Sequence, residues 1–94
     1  MKIAYSARAL SDLAAIHDFL AQEWPGVGKK FDSRLGEIEH RILTFPIGAV
    51  AVEDRQGVFV VPLINLPYRL FYALDGDAAV ILQIRSTSLA DWDD

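Results

Sequence analysis

The chain has no cysteine, one methionine and four prolines in 94 residues. Without thiols, neither a disulfide nor a thiolate metal site can form, which fits a reducing compartment such as the cytoplasm. Long hydrophobic runs are missing as well. The longest uncharged stretch, Gln56 to Tyr68, is broken by Pro62 and Pro67 and is too short to cross a bilayer. The opening residues, Met1-Lys2-Ile3-Ala4-Tyr5-Ser6, lack the apolar centre of a secretion signal. Basic residues are scarce: nine Lys and Arg stand against thirteen Asp and Glu, a net charge of -4. Proteins that grip a phosphate backbone usually carry a basic surface, so direct nucleic-acid binding is not expected. The two histidines, His17 and His40, have no third and fourth ligand at a useful spacing. No metal or other cofactor is expected. These absences leave a soluble, cytoplasmic single domain over residues 1–94. Its 52 % hydrophobic content exceeds what so small a core must hold and points to a protein partner.

The most informative stretch is Tyr68-Arg69-Leu70-Phe71-Tyr72, followed by Asp75-Gly76-Asp77 and then Val80 to Arg85. Alternation with period two predicts two strands, and Asp-Gly between such runs predicts a tight hairpin. Leu70, Tyr72 and Leu74 share one face, Arg69, Phe71 and Ala73 the other; Val80, Leu82 and Ile84 oppose Ile81, Gln83 and Arg85. Upstream, Lys2 to Tyr5 reads as a short strand and Ser6 as a helix N-cap. Leu10, Leu13, Ile16, Leu20 and Trp24 recur at helical spacing, and Pro25-Gly26 ends that helix. Phe31, Leu35, Ile38, Ile42 and Phe45 define a second helix from Val27 to Thr44, folded back on the first. Ala49 to Glu53 is a weak strand. Val58 to Ile64 is a strand that Pro62 confines to an edge or a bulge. The predicted order is β-α-α-β-β-β, an α+β fold with an antiparallel helical hairpin laid on a small antiparallel sheet. Residues 85–94 read as an exposed, acidic tail containing Leu89 and Trp92.

In this order and at this length, the motifs resemble the RelE/ParE superfamily of type II toxin–antitoxin toxins, nearer its ParE-like branch. The resemblance rests on Ser6-x-x-Ala9-x-x-Asp12-Leu13-x-x-Ile16-x-x-Phe19-Leu20, on Phe45-Pro46-x-Gly48, on Tyr68 to Tyr72, and on Ile84-Arg85-Ser86-Thr87-Ser88. It covers residues 3 to 89 and implies a partner antitoxin that forms a hetero-oligomer with the chain. It also implies one of two activities: message cleavage in the ribosome, as in RelE-like members, or inhibition of DNA gyrase by binding, as in ParE-like members.

Cleaving RNA needs a base, an acid and cations for the transition-state charge. Arg69 matches the strand arginine of the nucleases. The preceding strand, where nucleases are expected to hold lysines, has Val60 and Pro62. Where relatives carry a His-Thr-Ser-Arg run, this chain has Ser86-Thr87-Ser88-Leu89, and no tyrosine follows Tyr72. Binding rather than catalysis is therefore the expected mode, with Arg69, Arg85, Leu89 and Trp92 as partner-binding candidates. Arg55, Arg69 and Arg85 are the weak catalytic candidates of the alternative, a ribosome-dependent ribonuclease. A family member that only binds its antitoxin is the third reading. Each arginine also has a structural reading, pairing with an internal carboxylate, and Tyr72 reads as core.

Overall fold

The computed structural model describes residues 1–87. Its elements run β1 (Lys2–Tyr5), α1 (Ala7–Glu23), α2 (Val27–Thr44), β2 (Val50–Ala51), β3 (Val58–Pro62), β4 (Tyr68–Asp75) and β5 (Ala78–Ser86). The five strands form one sheet in the order β1-β5-β4-β3-β2. Both helices, the hairpin and the α+β class are as the residue pattern predicts. One edge is different: β1 runs parallel to β5, so the sheet is mixed rather than purely antiparallel. Parallel pairing needs a long crossover, and the whole helical hairpin lies between β1 and the remaining strands.

Local chemistry explains each boundary. The Ser6 hydroxyl accepts from the Ala9 N–H at 3.0 Å and donates to the Leu82 carbonyl at 3.0 Å, so one side chain starts α1 and ties it to β5. Between the helices, His17 Nε2 lies 2.7 Å from Asp32 Oδ1, and the His17 ring meets Phe31 edge-on. The β4–β5 reversal is the two-residue loop Gly76-Asp77, with a positive φ of 60° at Gly76, which glycine adopts without steric cost. Pro62 closes β3 beyond the short partner strand β2, so its missing N–H leaves no ladder bond unmade.

The core lies between the helices and one face of the sheet. Leu20, Phe31 and Ile42 are buried against Leu70, Tyr72 and Ile81. The Tyr72 hydroxyl donates to the Pro46 carbonyl at 2.7 Å, and its ring stacks on Phe59. Its placement in the core matches the expectation. The helical stripes are shorter than the pattern predicts, because Leu10 and Trp24 at the ends of α1 and Phe45 beyond α2 stand exposed. Trp24 and Phe45 are cap residues with φ of -141° and -134°, and the chain turns away from the helix axis there. Ala49 to Glu53 contributes a strand of two residues only.

The facing of β5 also departs from simple alternation. Phe71 pairs with Gln83 but Tyr72 pairs with Ile81, leaving Leu82 as an extra residue in a bulge. The bulge reverses the side-chain parity. Ile81 and Ile84 therefore both enter the core instead of facing opposite ways. β5 continues through Ser86 and Arg85 is 8 % exposed, so residues 85 and 86, expected in the exposed segment 85–94, belong to the sheet, while 88–94 lie outside the described residues.

Candidate binding face

The helices cover one face of the sheet, and strand register defines the other. Its rows follow from the pairing: Pro62 beside Arg69 beside Arg85, Val60 beside Phe71 beside Gln83, and Val58 beside Ala73 beside Val80. None of the β4 or β5 residues in these rows belongs to the helix-backed core. Arg69 and Arg85 are thus direct cross-strand neighbours. Like charges in that position destabilise a sheet, so folding alone gives no reason to place them together. Two neighbouring guanidinium groups favour a carboxylate or phosphate, which each can hold through a planar pair of N–H donors.

Arg69 Nη2 donates to the Thr87 carbonyl at 3.4 Å, and Arg85 Nη1 to Gln83 Oε1 at 3.4 Å. The sequence reading brings Arg69 and Arg85 together correctly, but Arg55 stands apart. It lies in the turn before β3, bonded through its backbone N–H to the Val52 carbonyl, at the opposite end of that strand from the Arg69–Pro62 pair. Leu89 and Trp92 lie outside the described residues. Val60 and Pro62, at the positions where the nuclease pattern has lysines, do face this surface. The nine side chains of the three rows include no histidine, lysine, hydroxyl or carboxylate.

A second feature escapes the sequence reading. The edge of β5 beyond β1 is closed by α1, where Asp12 Oδ2 accepts the Ile84 N–H at 3.0 Å. Arg8 Nε holds the other oxygen of the same carboxylate at 3.2 Å. Beside this bridge, a cleft of about 380 Å³ opens between α1 and the ends of β4 and β5. Ile16, Phe19, Tyr68 and Ile84 line it, with Arg8 and Arg85 among its polar groups. Asp12 stands in the first-helix motif, yet its strand-edge role depends on a contact 72 residues away. No local pattern announces it.

Burial raises the pKa of the Tyr68 and Tyr72 hydroxyls, with Arg41 partly opposing the rise at Tyr72. Burial raises Tyr5 further, helped by the Glu39 carboxylate that accepts a hydrogen bond from its hydroxyl and disfavours a second negative charge. All three belong to the helix-backed side. Among the described residues, no group of His, Cys, Asp and Glu could hold a metal ion, and no helix is long and apolar enough to cross a membrane.

Residues 3–89 match the family model described as the ParE toxin of the type II toxin–antitoxin system parDE. The chain belongs to the ParE toxin family. Among solved structures, the ParE fold is shared with the chromosomal ParDE system from P. aeruginosa, at a TM-score of 0.75 and 23 % identity, covering 92 % of this chain and 95 % of that one. The YoeB/ParE toxin from Agrobacterium tumefaciens is similar at a TM-score of 0.65 and 13 % identity, covering 92 % and 98 % of the two chains. The intact E. coli RelBE toxin–antitoxin complex is similar at 0.58 and 17 %, covering 89 % and 93 %. No curated protein sequence matches the chain. The likeness to both ParE- and RelE-type structures shows that the scaffold is common to the superfamily. What separates the members must lie in side chains on that scaffold.

Proposed function

We propose that this ParE-family protein is a cytoplasmic toxin that acts by binding a protein target, DNA gyrase, and is neutralised by a cognate antitoxin in a hetero-oligomer. The observation that carries this reading is the composition of the face around Arg69. Its two arginines can attract an anionic group, but the rows around them supply no acid or base to move a proton. Losing one general acid or base typically lowers a rate by about 10²–10⁴, so cations alone make a poor nuclease. They make a reasonable anchor for a carboxylate-bearing protein segment. The likeness to RelBE, a toxin held in complex with its antitoxin, supports a partner of that kind.

The direct test is a supercoiling assay with purified gyrase. Inhibition at micromolar protein, relieved by adding the antitoxin, is the expected result. Unimpaired supercoiling at that concentration removes gyrase as the target. The ribonuclease alternative is checked in a translation reaction, where specific message cleavage abolished by Arg69→Ala would replace the binding mechanism. Normal growth on expression without antitoxin would instead identify a chain that only binds its partner.

A further inference from the structure

The two flanks of the buried stripe on α2 carry opposite charge. On one flank stand Asp32 and Glu39, each already bonded, to His17 of α1 and to the Tyr5 hydroxyl of β1. On the other, Lys30, Arg34, Glu37 and Arg41 follow one another at helical spacing. Glu37 takes both its bonds from Arg34 Nη1, at 2.8 and 3.1 Å, and the Arg34 Nε–H has no acceptor. Among the described residues, no carboxylate pairs with Lys30 or Arg41. In a chain of net charge -4, this flank is a local reversal of sign. It also borders a groove of about 150 Å³ between α2 and β3. Arg34 and Arg41 stand on one bank, Ile38 and Val61 form the buried floor, and Pro62 and Ile64 make the other bank. Ile64 is 63 % exposed there.

We propose that this groove receives an acidic amphipathic helix of a partner protein, laid along α2. Charge selects an acidic occupant, and the sheet edge selects a helix over a strand. Along β3, backbone groups alternate between the two neighbouring strands. The Val58 carbonyl accepts from Val52 on the β2 side, and the Leu63 N–H donates to the Tyr68 carbonyl on the β4 side. By the same alternation Pro62 faces outward, past the end of β2, and proline has no N–H to offer an added strand. A helix needs no such donor, because its backbone bonds are satisfied internally, and it presents side chains alone to a groove. Arg34 and Arg41 lie two turns apart, about 10 Å along the axis, so carboxylates at positions i and i+7 of the incoming helix meet one guanidinium each. Aliphatic side chains at i+3 and i+4 fall between them, over Ile38 and beside Ile64. This surface lies round the β3 edge from Arg69 and Arg85, and the inference does not require the toxin reading above.

The test titrates the full chain with a labelled helical peptide carrying Glu at i and i+7 and Leu at i+3 and i+4, followed by fluorescence polarisation and by NMR. The signals of Ile38, Val61 and Ile64 are expected to shift, and added salt to weaken binding. Arg41→Gln should weaken it about two- to fivefold, and Arg34→Gln combined with Arg41→Gln further still. Ile64→Ser should weaken it without changing its salt dependence. Arg41 and Ile64 are exposed, so these variants keep the fold. Equal binding of a peptide with Lys in place of Glu would overturn the charge argument and the proposal with it. Equal binding of the acidic peptide interrupted by proline would overturn it as well, because an extended segment would then suffice. Shifts confined to the Arg69 face would place the acidic segment elsewhere. Changes in the Ile38 and Ile64 signals on dilution, with no peptide present, would make a second copy of the chain the occupant and overturn the proposal.

Discussion

The two faces of this sheet are made by the same strands and do opposite things. On β4, Leu70 and Tyr72 enter a closed, apolar core with both helices over it, while Arg69 and Phe71, alternating with them, face away. The helix-backed face is consistent at every level: spacing, packing and polar satisfaction all favour one structure. The other face brings two like charges together across a strand pair, an arrangement that costs stability. The difference teaches where selection acted for folding and where it acted for something else. It also predicts that neighbouring residues on one strand will respond very differently to substitution.

The largest effect is expected at Leu70, which is 0 % exposed. Leu70→Ala removes buried methyl groups and leaves a cavity, a change that typically costs about 2–5 kcal/mol. A 94-residue domain has roughly 5–14 kcal/mol in total, so chemical denaturation should find this variant close to the edge of folding. A loss under about 1 kcal/mol would mean that the helix-backed face is not the main source of stability.

Alkaline pH separates the faces next. Tyr5, Tyr68 and Tyr72 sit on the helix-backed side with raised pKa values, and the rows of the other face hold no tyrosine. A raised pKa means that the folded state holds its proton while the unfolded chain, titrating near pH 10, gives it up. The three groups contribute their full stability below about pH 10 and lose it as pH climbs through their folded values. Unfolding midpoints should therefore decline above pH 10. Tyr5→Phe should flatten that decline; an unchanged slope would remove Tyr5 as the main contributor.

How much of this was legible in advance divides along the same line. The periodic positions Phe31, Leu35, Ile38 and Ile42 in α2 and Leu70 and Tyr72 in β4 predict their burial, because spacing and burial report the same face. The pairing of Arg69 with Arg85 follows from hairpin register. The β5 bulge does not: one extra residue at Leu82 is invisible to alternation, and it moved Ile81 across the sheet. Nor did pattern show that β1 would join in parallel, since strand neighbours are chosen by the crossover and not by local composition. Leu10, Trp24 and Phe45 stand exposed at stripe positions for a related reason. A helix's apolar stripe says which face turns inward, but not how far along the helix the partner surface extends.

Between the faces lies the outer edge of β5, where Asp12 accepts the Ile84 N–H. Asp12→Ala leaves that donor without the carboxylate and removes the Arg8–Asp12 ion pair, a loss expected to cost about 1–3 kcal/mol. Asp12→Asn keeps an acceptor oxygen and should recover most of it. Hydrogen exchange at Ile84 provides the local readout: protection should fall in the alanine variant and return in the asparagine one. Equal protection in both would show that α1 seals this edge by packing alone.

The smallest effect on stability is expected at Arg69, one residue from the largest. Its side chain is partly exposed, and its bond to the Thr87 carbonyl is long at 3.4 Å. Removing it also relieves the repulsion with Arg85, which offsets part of the packing lost with its aliphatic stem. Arg69→Ala should therefore change stability by under about 1 kcal/mol, in either direction. If the face serves binding, the same variant should weaken association with the antitoxin or gyrase far more than it alters folding. Leu70→Ala, measured on its folded fraction, should bind with little change. A variant at Arg69 that is severely destabilised, yet binds normally while folded, would reverse the assignment and make this arginine part of the scaffold.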